Sequence, residues 1–220
     1  MMRTKLQAII VLLFAAVVLG AWIGSPCAQD QQKSADVSAP DQLNKHFKKA
    51  HDSFLKKDAK AAASEIRKAA ESLKSESERA TGEGKKALEA SVRELEKLAD
   101  DVEKGAVKSV KALDNAFARA QHALARHHYL KASESWAKKM TKEAGHDLKA
   151  AAAALGHGLA WTGRKVEAGT KTVLRDARTL AGKLVEGTGW VPAEVGKGIE
   201  AVGNEIEKLG KKIEPKKKQQ

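Results

Sequence analysis

Two stretches of this chain carry the same order of histidine, aromatic, lysine and small residues. They lie 82 residues apart, so that His46 in the first stretch corresponds to His128 in the second. An aromatic residue directly follows each of these two histidines. Between residues 46 and 107, 15 of the 62 positions are identical to their partners in this frame, more than shared alanine and lysine content would give. A constant offset, here 82, predicts an internal duplication and therefore a fold built from two copies of one unit.

Each copy begins with the pattern of a helical hairpin. Apolar residues recur at spacings of three and four, as one face of an α-helix requires, on either side of a basic turn near residues 57–58. The residues that carry this pattern are Phe47, Ala50, Phe54, Ala62, Ile66, Ala69 and Leu73 in the first copy, and Tyr129, Ala132, Trp136, Ala144, Leu148, Ala151 and Leu155 in the second. Glycines within 81–84 predict the end of the second helix in copy one, and Gly156 and Gly158 predict it in copy two.

Apolar residues at heptad spacing, several of them only alanine, form a seam from Leu88 to Ala120. It predicts one long helix in copy one, bent at Gly105. Copy two breaks at residues 187–192, where glycines precede Pro192, and a last helix is predicted from Pro192 to Ile213. Glycines recur at every seventh position along this last helix, so it should be marginal alone and should fold by docking on another surface.

Composition supports helices throughout. Alanine, lysine, glutamate and leucine dominate, aromatic residues make up only 4%, and there are four prolines. These residues favour helix on propensity alone. We therefore predict an all-α fold, an elongated helical bundle made of two tandem copies of a hairpin plus a long heptad helix.

The N-terminus has the order of a secretory signal. Basic residues precede an apolar run at 6–23, and small residues lead to polar sequence from Gln29. Residues 1–28 are predicted to be a signal peptide, with retention of 6–23 as a membrane anchor as the alternative. Lipidation of Cys27 is a further alternative, although Pro26 precedes it where lipoproteins have a small residue. The protein is thus expected to be exported, to the periplasm or beyond the cell.

The predicted organisation after the signal has four segments. Residues 29–40 form a polar linker, 41–125 form repeat copy one, and 126–213 form copy two with the C-terminal amphipathic helix. Residues 214–220 form a basic tail.

The seven histidines supply the candidate chemistry. His46 and His128 occupy equivalent positions, so a pseudo-symmetric fold would bring them together as weak candidates for metal ligands, although no third ligand or carboxylate is recognised at a matching spacing. Catalytic and cofactor-binding motifs are not recognised, and we expect neither enzymatic activity nor a cofactor.

Trp161 and Trp190 stand next to glycine-rich breaks and basic residues. They are candidates for anchors at a membrane surface, or alternatively for plugs at the ends of the bundle. The net charge of +12 favours anionic partners, but the sequence lacks aromatic stacking platforms and carries an export signal, which argues against nucleic acid. Self-association or a protein partner is expected.

The hairpins at 47–73 and 129–155 resemble those of YfdX-like exported bacterial proteins. The glycine-heptad C-terminus is similar to the amphipathic helices of late-embryogenesis proteins and apolipoproteins. The YfdX-like resemblance implies a periplasmic, stress-associated, all-α protein. It transfers no functional residues.

Three functions are therefore open. The first is an exported, non-enzymatic binding or scaffold protein, stress-associated and oligomeric. The second is a protein that binds anionic membrane surfaces through its amphipathic helices. The third is a helical bundle that binds a metal through histidines.

Overall fold

Alternating apolar and charged faces produce seven α-helices in residues 38–214, the part of the chain that the computed structural model describes. These residues belong to one compact unit and confirm the predicted all-α helical bundle. The helices are α1 (Ala39–Leu55), α2 (Ala59–Glu78), α3 (Gly82–Glu103), α4 (Val110–Ala137), α5 (Thr141–Trp161), α6 (Ala168–Glu186) and α7 (Pro192–Ile213).

Helix α4 is the central element of the bundle. Consecutive helices pack against each other, and α4 also contacts α1 and α7. At 28 residues it is about 42 Å long, enough to pack on α1 and α3 as well as on α5 and α7. The predicted boundary between residues 125 and 126 therefore falls inside a continuous helix.

The turns of the two hairpins have the same backbone geometry at equivalent positions of the two copies. Lys57 has φ 62° and Lys139 has φ 60°. Both follow a helix and lie just before an N-cap residue, Asp58 or Met140. In addition, the starts of α5 and α7 are related to those of α2 and α4 by the same offset. These correspondences support the duplication, which stays a prediction.

The predicted long helix from 88 to 120 is wrong. Helix α3 ends at Glu103, and the chain reverses before α4 begins at Val110. Gly105 has φ 66°, a left-handed conformation that glycine adopts without steric cost. Most of the seam stays buried, because each half of it faces the core from one of two helices that pack together.

Gly156 and Gly158 lie inside α5, so the prediction that they end this helix is also wrong. Gly158 instead permits close packing. A Cβ there would lie 2.9 Å from Leu209 Cδ2 and 3.5 Å from the carbonyl oxygen of Ala118. The helix continues because the helices packed around it compensate for the low helix propensity of glycine.

Helix α7 begins and ends as predicted and docks on the protein's own bundle. Two glycines on its edge face large side chains of α4. Gly203 lies against Tyr129, and Gly210 lies against His122, whose Nε2 is 3.1 Å from the carbonyl oxygen of Ile206. The missing Cβ atoms thus allow the close approach. Within residues 38–214, none of the helices combines the length and apolar content that crossing a bilayer requires.

Several predictions concern residues outside the described range. These are the signal peptide at 1–28 with its alternative anchor at 6–23, Cys27, the linker up to residue 37, and the basic tail from residue 215. They remain predictions. Pro40, within the predicted linker, lies in the first turn of α1, where its fixed φ suits helix initiation.

Candidate functional site

The two candidate histidines each bind a carboxylate on the next helix. His46 Nδ1 lies 2.8 Å from Glu65 Oε2, and His128 Nδ1 lies 3.0 Å from Asp147 Oδ1. Because an ionised carboxylate only accepts hydrogen bonds, each Nδ1 donates its proton. Both pairs therefore join the first helix of a hairpin to the second through the same ring nitrogen.

The sequence carries a signal for these pairs in the spacing between histidine and carboxylate. In both pairs the carboxylate follows its histidine at the same spacing, 19. Glu65 and Asp147 are thus related by the offset that relates the histidines, and the expectation that no carboxylate has a matching spacing is wrong. No group of three potential metal-binding side chains occurs within residues 38–214. The structure gives His46 and His128 separate carboxylate partners, and metal binding by these histidines stays a prediction.

Charged neighbours keep both carboxylates ionised. Burial raises the pKa of Asp147, but the hydrogen bond from His128 and the charge of Lys131 outweigh burial and hold this pKa below its ordinary value. Burial likewise raises the pKa of Glu65, while hydrogen bonds from Lys68 and His46 bring it below the ordinary value. A formal negative charge therefore lies between the helices of each hairpin at neutral pH.

His127, next to His128 on α4, is a buried histidine that the sequence did not single out. It is 2% exposed, and its Nε2 has no hydrogen-bond partner among the described residues. The rings of His127 and His128 lie 5.0 Å apart. Burial and the charges of His128 and Lys131 lower the pKa of His127 to about 4, so the ring is neutral at neutral pH.

A small polar cavity opens beside His127. Its volume is about 210 Å³, and it lies between the end of α2, the first turn of α3 and the second half of α4. It is lined by one apolar residue, Leu130, by Gly84 in the first turn of α3, and by five polar residues: Arg79, Thr81, His127, Lys131 and Glu134. The cavity therefore combines two basic side chains, one acidic side chain and a helix N-terminus.

A larger groove of about 460 Å³ lies between α1 and α2, and Arg79 lines this groove as well as the cavity at His127. Its polar residues carry both signs of charge and include His46, Lys68 and Glu71. A volume in this range is typical of ligand pockets. The two openings thus meet at one basic side chain.

Trp161 closes the aromatic part of the core. Its ring meets Phe117 edge to face at 5.2 Å, and its Nε1 donates a 2.9 Å hydrogen bond to Asn44 Oδ1. A tryptophan held by both its ring and its N–H is fixed in place. These contacts favour the plug over the surface anchor for Trp161.

Trp190 lies at the turn between α6 and α7, where its ring meets Trp136 edge to face at 5.5 Å. Its Nε1 is buried and has no partner among the described residues. Met140 and Val191 occupy the N-caps of α5 and α7, and 43% and 57% of their respective surfaces are exposed. Trp190 is thus half-buried, whereas these two N-caps carry exposed apolar surface.

Comparison of the chain with protein-family models, with curated proteins and with solved structures finds no match in any of the three.

Proposed function

We propose that this chain is an exported, non-enzymatic binding protein that folds before it meets its ligand or partner. The observation that carries this proposal is the pair of adjoining polar openings that meet at Arg79. Both are lined by side chains from helices whose apolar faces are already buried, so the openings exist without a partner. Charged side chains in a preformed cavity can make strong hydrogen bonds to a polar ligand.

The packing of the C-terminal helix supports the same proposal. The low helix propensity of α7 and two tryptophans are the sequence features that suggest a membrane-binding role. Helix α7 covers its apolar seam against α4, α5 and α6, and Trp161 is hydrogen-bonded inside the bundle. The helix therefore does not need a lipid surface in order to bury its apolar residues. A stress-associated or scaffold role, with self-association, remains part of the proposal.

One observation favours the alternative, an anionic membrane surface as the partner. The exposed Met140 directly follows Lys138 and Lys139, and the exposed Val191 directly follows Trp190, which packs against Trp136 at the end of α4. Apolar side chains flanked by lysines are typical of surfaces that insert shallowly into anionic bilayers.

Co-sedimentation of the purified protein with anionic phospholipid vesicles at low salt separates the two functions. We expect the protein to stay in the supernatant, because its helices are already packed. Sedimentation that high salt reverses would contradict the proposal and support the membrane alternative. In that case, a variant with both Met140→Ser and Val191→Ser should no longer sediment, whereas Leu55→Ser, at another exposed apolar residue, should sediment as the wild type does.

A further inference from the structure

His127 is the buried polar side chain that the fold leaves least explained. It is 2% exposed, its Nε2 has no partner among the described residues, and it lines the 210 Å³ cavity. Its Nδ1 faces the first turn of α3, at 3.1 Å from the point where a Cβ on Gly84 would lie. Burying a polar group without a hydrogen bond is costly, so a partner that comes from solvent would relieve this cost.

The same cavity receives the N-terminus of α3, a helix of 22 residues. The N–H of Lys85 binds the carbonyl oxygen of Thr81 at 3.2 Å, which closes the first turn. The backbone N–H groups of residues 82–84 come before this first helical hydrogen bond and have no carbonyl partner within the helix. The Thr81 side chain makes no capping hydrogen bond to them. Such an end attracts negative charge through its free donors and the helix dipole.

The side chains around the cavity add positive charge. Arg79 and Lys131 line it, and the lining carboxylate, Glu134, is bound to Lys138 at 2.5 Å. Glu83 in the first turn of α3 is exposed and paired with Arg126. Both carboxylates are thus engaged by basic residues that do not line the cavity. Part of the charge of Lys131 is shared with Asp147, at 3.3 Å, and part of that of Arg79 with Glu76, at 3.5 Å.

We propose that the cavity at His127 binds a small oxyanion of the phosphate type. The N–H groups of the first turn of α3 and a ring N–H of His127 donate to the anion, and Lys131 and Arg79 balance its charge. The inference rests on the proposed binding function and assigns it a ligand class. The ring nitrogen placed to donate to the anion is Nδ1, which faces the first turn of α3.

Calorimetric titration of the full protein with inorganic phosphate at neutral pH and constant ionic strength tests this assignment. We expect saturable binding of one phosphate, because a single cavity offers the donors. An equal titration with chloride should show much weaker binding, since chloride carries one charge on one atom, whereas phosphate offers several oxygens to donors on different sides of the cavity.

Two variants localise the binding to the cavity. Gly84→Ala places a methyl group 3.1 Å from His127 Nδ1 and should weaken phosphate binding at least tenfold. Lys131→Gln removes a lining charge and should weaken it to a similar extent. The matched controls are Gly182→Ala, where a Cβ meets nothing within 4 Å, and Lys111→Gln at the exposed far end of α4. Neither control should change the affinity.

Absence of saturable phosphate binding in a protein that melts cooperatively would overturn the anion site and leave the binding function standing. Equal weakening in the variants and the controls would also overturn it, because it would indicate attraction to the net charge alone. A protein that melts without cooperativity would instead contradict the proposed function, which requires a preformed cavity, and the anion site with it.

Discussion

Replacing Phe117 with alanine is expected to lower the free energy of unfolding by about 3–5 kcal/mol. The Phe117 side chain is fully buried on α4, between aromatic rings of α1 and α5. It stacks on Phe47 with ring centroids 4.2 Å apart and meets Trp161 edge to face. In a core otherwise rich in alanine, short side chains cannot extend into the space, so the cavity would persist.

Urea denaturation followed by circular dichroism measures this effect. The matched control is Leu55→Ala at the end of α1, where the leucine is 59% exposed and the change should be within about 0.5 kcal/mol. A loss below about 1 kcal/mol for Phe117→Ala would contradict the packing described for the three aromatic rings.

The second large effect is a loss of stability in mild acid. The pKa of His127 is about 4 in the folded protein, against an ordinary value of 6.5. Because the folded pKa is lowered, the unfolded chain takes up a proton first as pH falls. The stability from a neutral His127 is complete above pH 6.5 and is lost progressively towards pH 4. The loss should reach about 2–3 kcal/mol.

Burial sets the direction of this effect, and most of the charged groups that face His127 reinforce it. His128 and Lys131 on α4 disfavour a second positive charge, while Asp147 on α5 favours it but is already bound by His128 and Lys131. Across the cavity, Arg79 is basic and Glu134 is paired with Lys138. The pKa values of the Asp147 and Glu65 carboxyls lie below their ordinary range, so these groups contribute at lower pH.

The variant His127→Leu, which replaces the ring with an apolar side chain that cannot take up a proton, isolates this contribution. Its free energy of unfolding should fall much less between pH 6.5 and pH 4 than that of the wild type. A smaller slope should remain from His122, because burial also lowers the pKa of this histidine. The exposed His146 on α5 provides the control, and His146→Leu should keep the full slope. Equal slopes in all three proteins would contradict the burial of a neutral His127.

Local patterns predicted most of the helices. The faces built on Phe47 and Tyr129, the first turn at Pro40 and the whole of α7 follow from apolar spacing and from residues that start or stop helices. These features need only a few neighbouring residues to act. Their positions could therefore be predicted from the sequence before the packing was known.

The wrong predictions concern glycines whose effect depends on packing. The heptad seam predicts a helix that continues through Gly105, but Gly105 lies in a turn between α3 and α4. Because α4 folds back onto α3, both halves of the seam still reach the core. A glycine such as Gly158 is typical of a helix end. Gly158 nevertheless lies within α5, because the absence of a side chain there leaves room for Leu209 of α7. A seam looks the same in one long helix as in two helices that pack together, so the sequence alone did not distinguish them.

The candidate site was predictable only in part. The pairs His46–Glu65 and His128–Asp147 have the same spacing, and a search of the aligned copies for carboxylates would have found both. The cavity at His127 has no such signal. It depends on the approach of Gly84 to His127, two residues on different helices, which only the packing of α3 on α4 establishes.

The central claim is that this chain forms its bundle without a surface or partner and presents preformed polar cavities. Far-ultraviolet circular dichroism of the purified protein through a thermal melt, in buffer and then with anionic vesicles, tests it most directly. We expect high helicity and one cooperative transition in buffer, with little change when vesicles are added. Low helicity in buffer that rises sharply with vesicles would contradict the claim, because the helices would then depend on a lipid surface.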